Sequence, residues 1–153
     1  MRGSKHDLPV AFEGTSMVSR QAEWGDLNVA LETFPAGTDP SPLFKGLPDD
    51  RCPCPHWGYV VRGRFRVRYR DREEVVKVGD AYYMPPGHVP IFEEDTEVVE
   101  FSPKGAYQAM LEVVARNWLG LQAAGTAGEV ANRLIGDRGG SVTRGYRPGS
   151  GTR

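Results

Sequence analysis

Arg51-Cys52-Pro53-Cys54-Pro55-His56-Trp57-Gly58-Tyr59-Val60-Val61-Arg62-Gly63 places both cysteines of the chain and one of its three histidines within five positions. Cys52, Cys54 and His56 stand two residues apart. In an extended chain that spacing sends side chains to one face, about 6.5 to 7 Å apart along the strand. Pro53 and Pro55 favour extended backbone in the residues that precede them, Cys52 and Cys54. Two thiols and an imidazole can therefore point inward together, and zinc and iron accept those ligand types readily. Two other readings stay open: a buried cluster without metal, and a disulfide between Cys52 and Cys54. The disulfide is strained, because Cα atoms two apart on a strand exceed the usual bridging distance.

Downstream, Gly79-Asp80-Ala81-Tyr82-Tyr83-Met84-Pro85-Pro86-Gly87-His88-Val89-Pro90 delivers a second histidine through a turn. Gly87 permits an unusual backbone angle just before His88. A short strand carrying one histidine is what would close a metal site opened by the first segment.

Around these two segments the pattern is β. In Asp26 to Phe34, Leu27, Val29 and Leu31 alternate with Asp26, Asn28 and Glu32, the period of a half-buried strand. The apolar set is expected to face the core. Phe65, Val67 and Tyr69 alternate with Arg64, Arg66, Arg68 and Arg70, while Glu74 to Val78 and Glu97 to Phe101 add β-branched runs. Turn signals stand at Phe34-Pro35-Ala36-Gly37, Arg62-Gly63, Val78-Gly79-Asp80 and Pro85-Pro86-Gly87. Short strands at this spacing predict an antiparallel sandwich or barrel over residues 8–103. A helix is expected over 104–120, with Ser102 as N-cap, Pro103 at the first position and Gly120 as the stop. Its stripe of Tyr107, Met110, Leu111, Val114 and Trp118 should pack outside the sheet or on a second subunit. Residues 1–7 read as a disordered start or tag remnant, which gives His6 little weight. Residues 121–153 read as a weakly structured to disordered tail, with a short helix over 129–135 and mobile terminal residues 137–153.

The 153 residues, 16.9 kDa, suit one domain, and 39% hydrophobic with 25% charged residues is enough to build a core. Gly 19 and Pro 12 make 31 turn-formers and weigh against a helical bundle. Two cysteines exclude a disulfide scaffold. The net charge of −1 provides no general attraction to nucleic acid or membrane. The arginines at 62, 64, 66, 68, 70 and 72 lie beside Asp71, Glu73 and Glu74, so a solvated outer face is expected, not a nucleic-acid stripe. No run reaches the ~20 apolar residues of a membrane span, and no apolar run follows the basic start, which predicts a cytoplasmic protein. Trp57, Tyr59, Tyr83 and Phe92 flank the proposed site and are the candidates to line a pocket, with barrel core as their other reading. Glu97 and Glu100 lie on a late strand, where one could enter the barrel and serve as acid or base, with solvent exposure the expected reading for each.

The segment from Leu27 to Phe101 resembles a cupin, a small jelly-roll barrel or double-stranded β-helix. Gly79, Pro85 and Gly87 match the frame of the second cupin motif, and Gly63 matches the closing glycine of the first. Counting back from Gly63 puts His56 at the motif's glutamate and Cys52 at its second histidine. Cys54 is then an added candidate. Pro90 takes the usual histidine position of the second motif, and His88 precedes it by two. Cys-x-Cys-Pro-His-Trp-Gly-Tyr followed by Pro-Pro-Gly-His also resembles a group of small bacterial cupins. The resemblance implies a mainly β barrel with a C-terminal helix, a homodimer, and one divalent transition metal holding a small polar molecule beside it. The usual three histidines and glutamate suit iron or manganese. Cys52, Cys54, His56 and His88 form a softer set that favours zinc, with iron as the alternative. The implied activity is that of a metal-dependent isomerase, lyase or oxygenase. The alternative is a non-catalytic ligand-binding or sensing module braced by a structural zinc.

Overall fold

The computed structural model describes residues 1–14 and 17–123. Nine strands precede one helix: β1 Val10–Gly14, β2 Met17–Trp24, β3 Leu27–Phe34, β4 His56–Arg62, β5 Arg64–Arg68, β6 Glu73–Lys77, β7 Ala81–Met84, β8 Val89–Ile91, β9 Thr96–Pro103 and α1 Lys104–Ala123. The strands form a six-stranded sheet in the order β1-β2-β3-β9-β4-β7 and a three-stranded sheet in the order β6-β5-β8. Every paired neighbour is antiparallel, as expected of strands joined by short turns. Among the described residues no helix is long and apolar enough to cross a membrane.

Two apolar clusters fill the space between the sheets. Val60, Phe65, Val67, Met84, Phe92 and Val98 form one. Leu43, Phe44, Leu47, Cys52, Cys54 and Val89 form the other, beneath Tyr107 and Met110 of α1. Burying such side chains contributes about 1.5–3 kcal/mol each. α1 thus closes one end of the barrel and does not lie on the outer face of a sheet. Asn117 pins it there, donating through Nδ2 to Leu43 O at 2.8 Å and Lys45 O at 2.7 Å. The helix runs through Gly120 to Ala123, because glycine within a helix costs only about 1 kcal/mol and nothing else stops the chain there.

Ser102 is not the N-cap. It belongs to β9, is buried, and turns its hydroxyl into the barrel. The chain before β1 makes a local turn. Asp7 N and Leu8 N both donate to Ser4 O at 3.0 Å, and Leu8 is buried. The readings over 124–153 lie outside the described residues. Within the arginine row, Arg64 pairs with Glu94 at 2.9 Å, Arg66 with Glu73 and Glu93 at 3.0 and 2.8 Å, and Arg72 with Glu74 at 2.8 Å.

Gly63 turns the chain from β4 into β5 at φ +78°, and a Cβ there would lie 2.2 Å from Asp95 O. A backbone atom cannot swing aside. Gly63→Ala is therefore expected to lower stability by more than about 2 kcal/mol in a denaturant titration. Gly79→Ala, at φ +91° but in open space, should cost only the strain of about 1–2 kcal/mol. Equal losses at the two positions would contradict this account.

Candidate metal centre and its cavity

The two segments singled out by their cysteines and histidines meet through the backbone. Cys52 N donates to His88 O at 2.9 Å and Gly87 N donates to Cys52 O at 2.8 Å, an isolated antiparallel bridge. The turn needs Gly87 at φ +93°, which a side chain would strain. His56 then opens β4 opposite Met84 of β7. Cys52, His56 and His88 are all buried, and one ligand atom of each lies within 4.8 Å of the others. Cys52 Sγ is 3.4 Å from His56 Nε2. Tetrahedral zinc with bonds of about 2.3 Å to sulfur and 2.0–2.1 Å to nitrogen holds its donors roughly 3.5 Å apart, so this pair fits.

The far sides of both rings are braced. His88 Nδ1 lies 2.7 Å from Pro85 O; a carbonyl only accepts, so Nδ1 carries the proton and Nε2 presents its lone pair. His56 Nδ1 lies 2.7 Å from the Ser102 hydroxyl, which lets it donate there while Nε2 faces Cys52. Metal-ligating histidines are held in this way. Burial pushes both imidazoles down to about 4, so they are neutral ligands at pH 7. Burial also pushes the Cys52 thiol up to about 12. A cation beside that sulfur reverses the balance, since a coordinating thiol is deprotonated.

Cys54 is not part of the cluster. Its Sγ donates to Pro55 O at 3.5 Å and packs among the apolar residues under α1. The two-residue alternation expected of Cys52, Cys54 and His56 applies only within a strand, and β4 begins at His56; Cys54 sits in a bend.

Beside these residues lies a cavity of about 220 Å³. Ser19, Gln21, Glu32, Glu100 and Tyr107 give it a polar wall, and Phe34, Phe44, Phe92, Leu111 and Val114 an apolar one. Glu100 Oε1 accepts from Tyr82 at 2.5 Å, and its Oε2 lies 3.5 Å from His56 Nδ1. Glu32 Oε1 accepts from Ser19 at 2.8 Å. Gln21 Nε2 donates to both Ser19 Oγ and Tyr107 Oη at 2.7 Å. Burial raises both carboxyls, Glu32 to about 8, with the negative charge of Glu100 adding to the rise in Glu32.

Crystal structures with this architecture are known. An RmlC-like cupin from Shewanella frigidimarina matches with a TM-score of 0.50 at 15% identity, over 67% of this chain and 88% of that one. The chain has the cupin fold. A conserved protein of unknown function from Streptococcus pyogenes matches at TM-score 0.46 and 19% identity, over 58% of this chain and 75% of that one. Apo-HppE matches at 0.47 and 13%, over 67% and 57%. No family model and no curated protein matches the sequence.

Within this cupin barrel, Phe92 is the one aromatic of the four expected that reaches the cavity, where it stacks on Phe34 at 3.8 Å. Trp57, Tyr59 and Tyr83 are 44–49% exposed on the outer face. Strand parity dictates it: once His56 points inward on β4, Trp57 and Tyr59 must point out. Tyr82 and Met84 are likewise the inward pair of β7.

Glu32 and Glu100 had the opposite fate. On β3 the inward set is Asn28, Ala30 and Glu32, while Leu27, expected in the core, is 40% exposed. Alternation defines two faces without saying which one a barrel encloses. On β9 the run Glu97-Val98-Val99-Glu100 is apolar at both parities, so only the register shows that Val98, Glu100 and Ser102 point in. Gly58 completes this arrangement. It pairs with Glu100 on one side and Tyr82 on the other, and a Cβ there would lie 2.3 Å from Tyr82 Cζ. Its missing side chain is the opening through which Tyr82 reaches Glu100.

A carboxyl raised by folding contributes stability that is full below its unfolded value near 4.5 and is lost as pH rises through about 8. The metal-free protein should therefore melt lower at pH 9 than at pH 5. Glu32→Gln should match wild type at pH 5 and exceed it by several degrees at pH 9 by scanning calorimetry. A constant offset across that range would refute the buried-carboxyl account.

Proposed function

We propose that this protein is a metal-binding cupin in which Cys52, His56 and His88 hold one divalent transition ion beside a cavity for a small organic molecule. The donor set carries the reading: one sulfur and two ring nitrogens within 4.8 Å of one another, each imidazole braced on its far nitrogen. Thiolate with imidazole favours zinc, and iron is the alternative. Three protein ligands leave a fourth position for water or substrate, as in reactive sites. When bound, such an ion supplies Lewis acidity or, as iron, oxygen chemistry. The chain's own contribution is the cavity and the Glu100 carboxyl, held by Tyr82 beside His56 and placed to accept or give a proton. This supports a small-molecule isomerase, lyase or oxygenase. A sensing module with a closed zinc site would need a fourth ligand, and the Cys54 thiol turns instead to Pro55 O. Two free thiols fit a reducing, cytoplasmic setting.

Elemental analysis of protein purified without a nickel column tests the site. Near-stoichiometric metal is expected in wild type and in Cys54→Ala. Cys52→Ser and His88→Ala should lose it, and Ser102→Ala should bind 10- to 100-fold more weakly by chelator competition. Retention of metal in both ligand variants, with the fold verified by circular dichroism, sinks the proposal. A cobalt-substituted sample reads the open position: exogenous anions should shift its visible spectrum.

The same reading includes a homodimer formed through the outer face of the six-stranded sheet. There Trp57 and Tyr83 stack at 4.9 Å beside exposed Tyr59 and Phe101, a larger apolar patch than scattered surface residues present. Tyr59→Glu should convert the dimer to a monomer by light scattering while leaving metal content unchanged. A wild-type monomer would dismiss the dimer without touching the metal reading.

A further inference from the structure

The cavity is acidic. Among the described residues that line it there is no lysine and no arginine, yet Glu32 and Glu100 both enter it. The two are diagonal neighbours on adjacent strands, since Ala30 pairs with Glu100 and Glu32 with Val98. That places their Cα atoms roughly 7–8 Å apart on the same face, within reach of one shared group. Glu32 is 5% exposed, and only one of its oxygens accepts a hydrogen bond from a described residue, from Ser19. The other oxygen is left for whatever fills the cavity. Buried carboxylates are stable only when paired.

We infer that the cavity selects a small organic amine, its ammonium group meeting Glu32 and Glu100 and its apolar body resting against Phe34, Phe92 and Leu111. The inference rests on the cavity beside the metal centre being the ligand site, and it names the substrate class of that site. Size follows from the volume: 220 Å³ is roughly seven waters at ~30 Å³ each, below the range of drug-sized pockets. Charge does the selecting. A carboxylate or phosphate ligand would enter beside two acids with no basic residue to receive it. A neutral alcohol can hydrogen-bond there but brings no counter-charge.

Benzylamine, benzyl alcohol and benzoate share one ring and differ in head-group charge, so isothermal titration at pH 7.5 with each, on metal-loaded and on chelator-stripped protein, tests the assignment. Metal content is read separately on both samples. The expected order is benzylamine at least tenfold tighter than benzyl alcohol, with benzoate weakest, in both forms. Glu32→Gln, whose amide preserves the side-chain shape, should erase most of the benzylamine advantage and leave benzyl alcohol unchanged. Benzoate binding as well as benzylamine, equal binding of amine and alcohol, no binding of any of the three, or a Glu32→Gln variant with unaltered order overturns the inference. A failed metal assay with the amine order intact in the stripped protein would overturn the metal reading alone. An amine preference seen only with metal present would show the amine binding the ion instead of the carboxyls, and would also overturn the inference.

Discussion

Two main-chain hydrogen bonds between Cys52 and the Gly87–His88 turn hold the candidate centre together. They join segments thirty-odd positions apart, before β4 and before β8, and so tie the six-stranded sheet to the three-stranded one at the end that α1 covers. Everything at the site follows from that junction. Cys52 and His88 come to face each other because their backbones are paired, and His56 joins them because β4 starts just beyond. A ligand set assembled from side chains alone would be only as rigid as their rotamers. Here the backbone bridge, the Pro85 carbonyl and the Ser102 hydroxyl fix the ring positions.

The second organising constraint is an absence. Gly58 lacks the side chain that would block Tyr82, so the phenol crosses β4 and holds Glu100 next to His56. One glycine thereby links the His56 side of the cavity to its acidic wall. The opposite end of that wall is built by Tyr107, Gln21, Ser19 and Glu32, a chain of hydrogen bonds that begins on α1. The helix is therefore more than packing: it supplies apolar cover through Met110 and a polar anchor through Tyr107. Buried polar networks of this kind are stable only when satisfied throughout, which makes the cavity a demanding part of the fold.

Much of this was legible before any coordinates. The strand alternation and turn glycines around Gly63 and Gly87 pointed to the barrel, and the rarity of Cys and His marked Cys52, His56 and His88 as partners. Most departures from the pattern share one cause. Period two divides a strand into two faces but does not say which face a closed barrel encloses, so the pattern alone favours Trp57, Tyr59 and Tyr83 inward and Glu32 outward, and it leaves both faces open to Glu100. Hydrophobicity was the guide, and it misleads where an acidic cavity lies inside and an apolar patch lies outside. Cys54 failed for a different reason: alternation was extended past the start of β4 into a bend, where it has no force.

The sequence by itself determined the local conformations and the chemical types available. Extended segments, glycine turns and a single helix follow from short-range sterics and side-chain pattern, and the donor set follows from having so few soft ligands. Only the tertiary structure decided which donors meet and which carboxyls are buried. Those depend on register between strands distant in the chain, and a shift of one residue exchanges the two faces. Inward-facing acids and an outward-facing tryptophan are products of that register, while the bend before β4 leaves Cys54 out of the cluster.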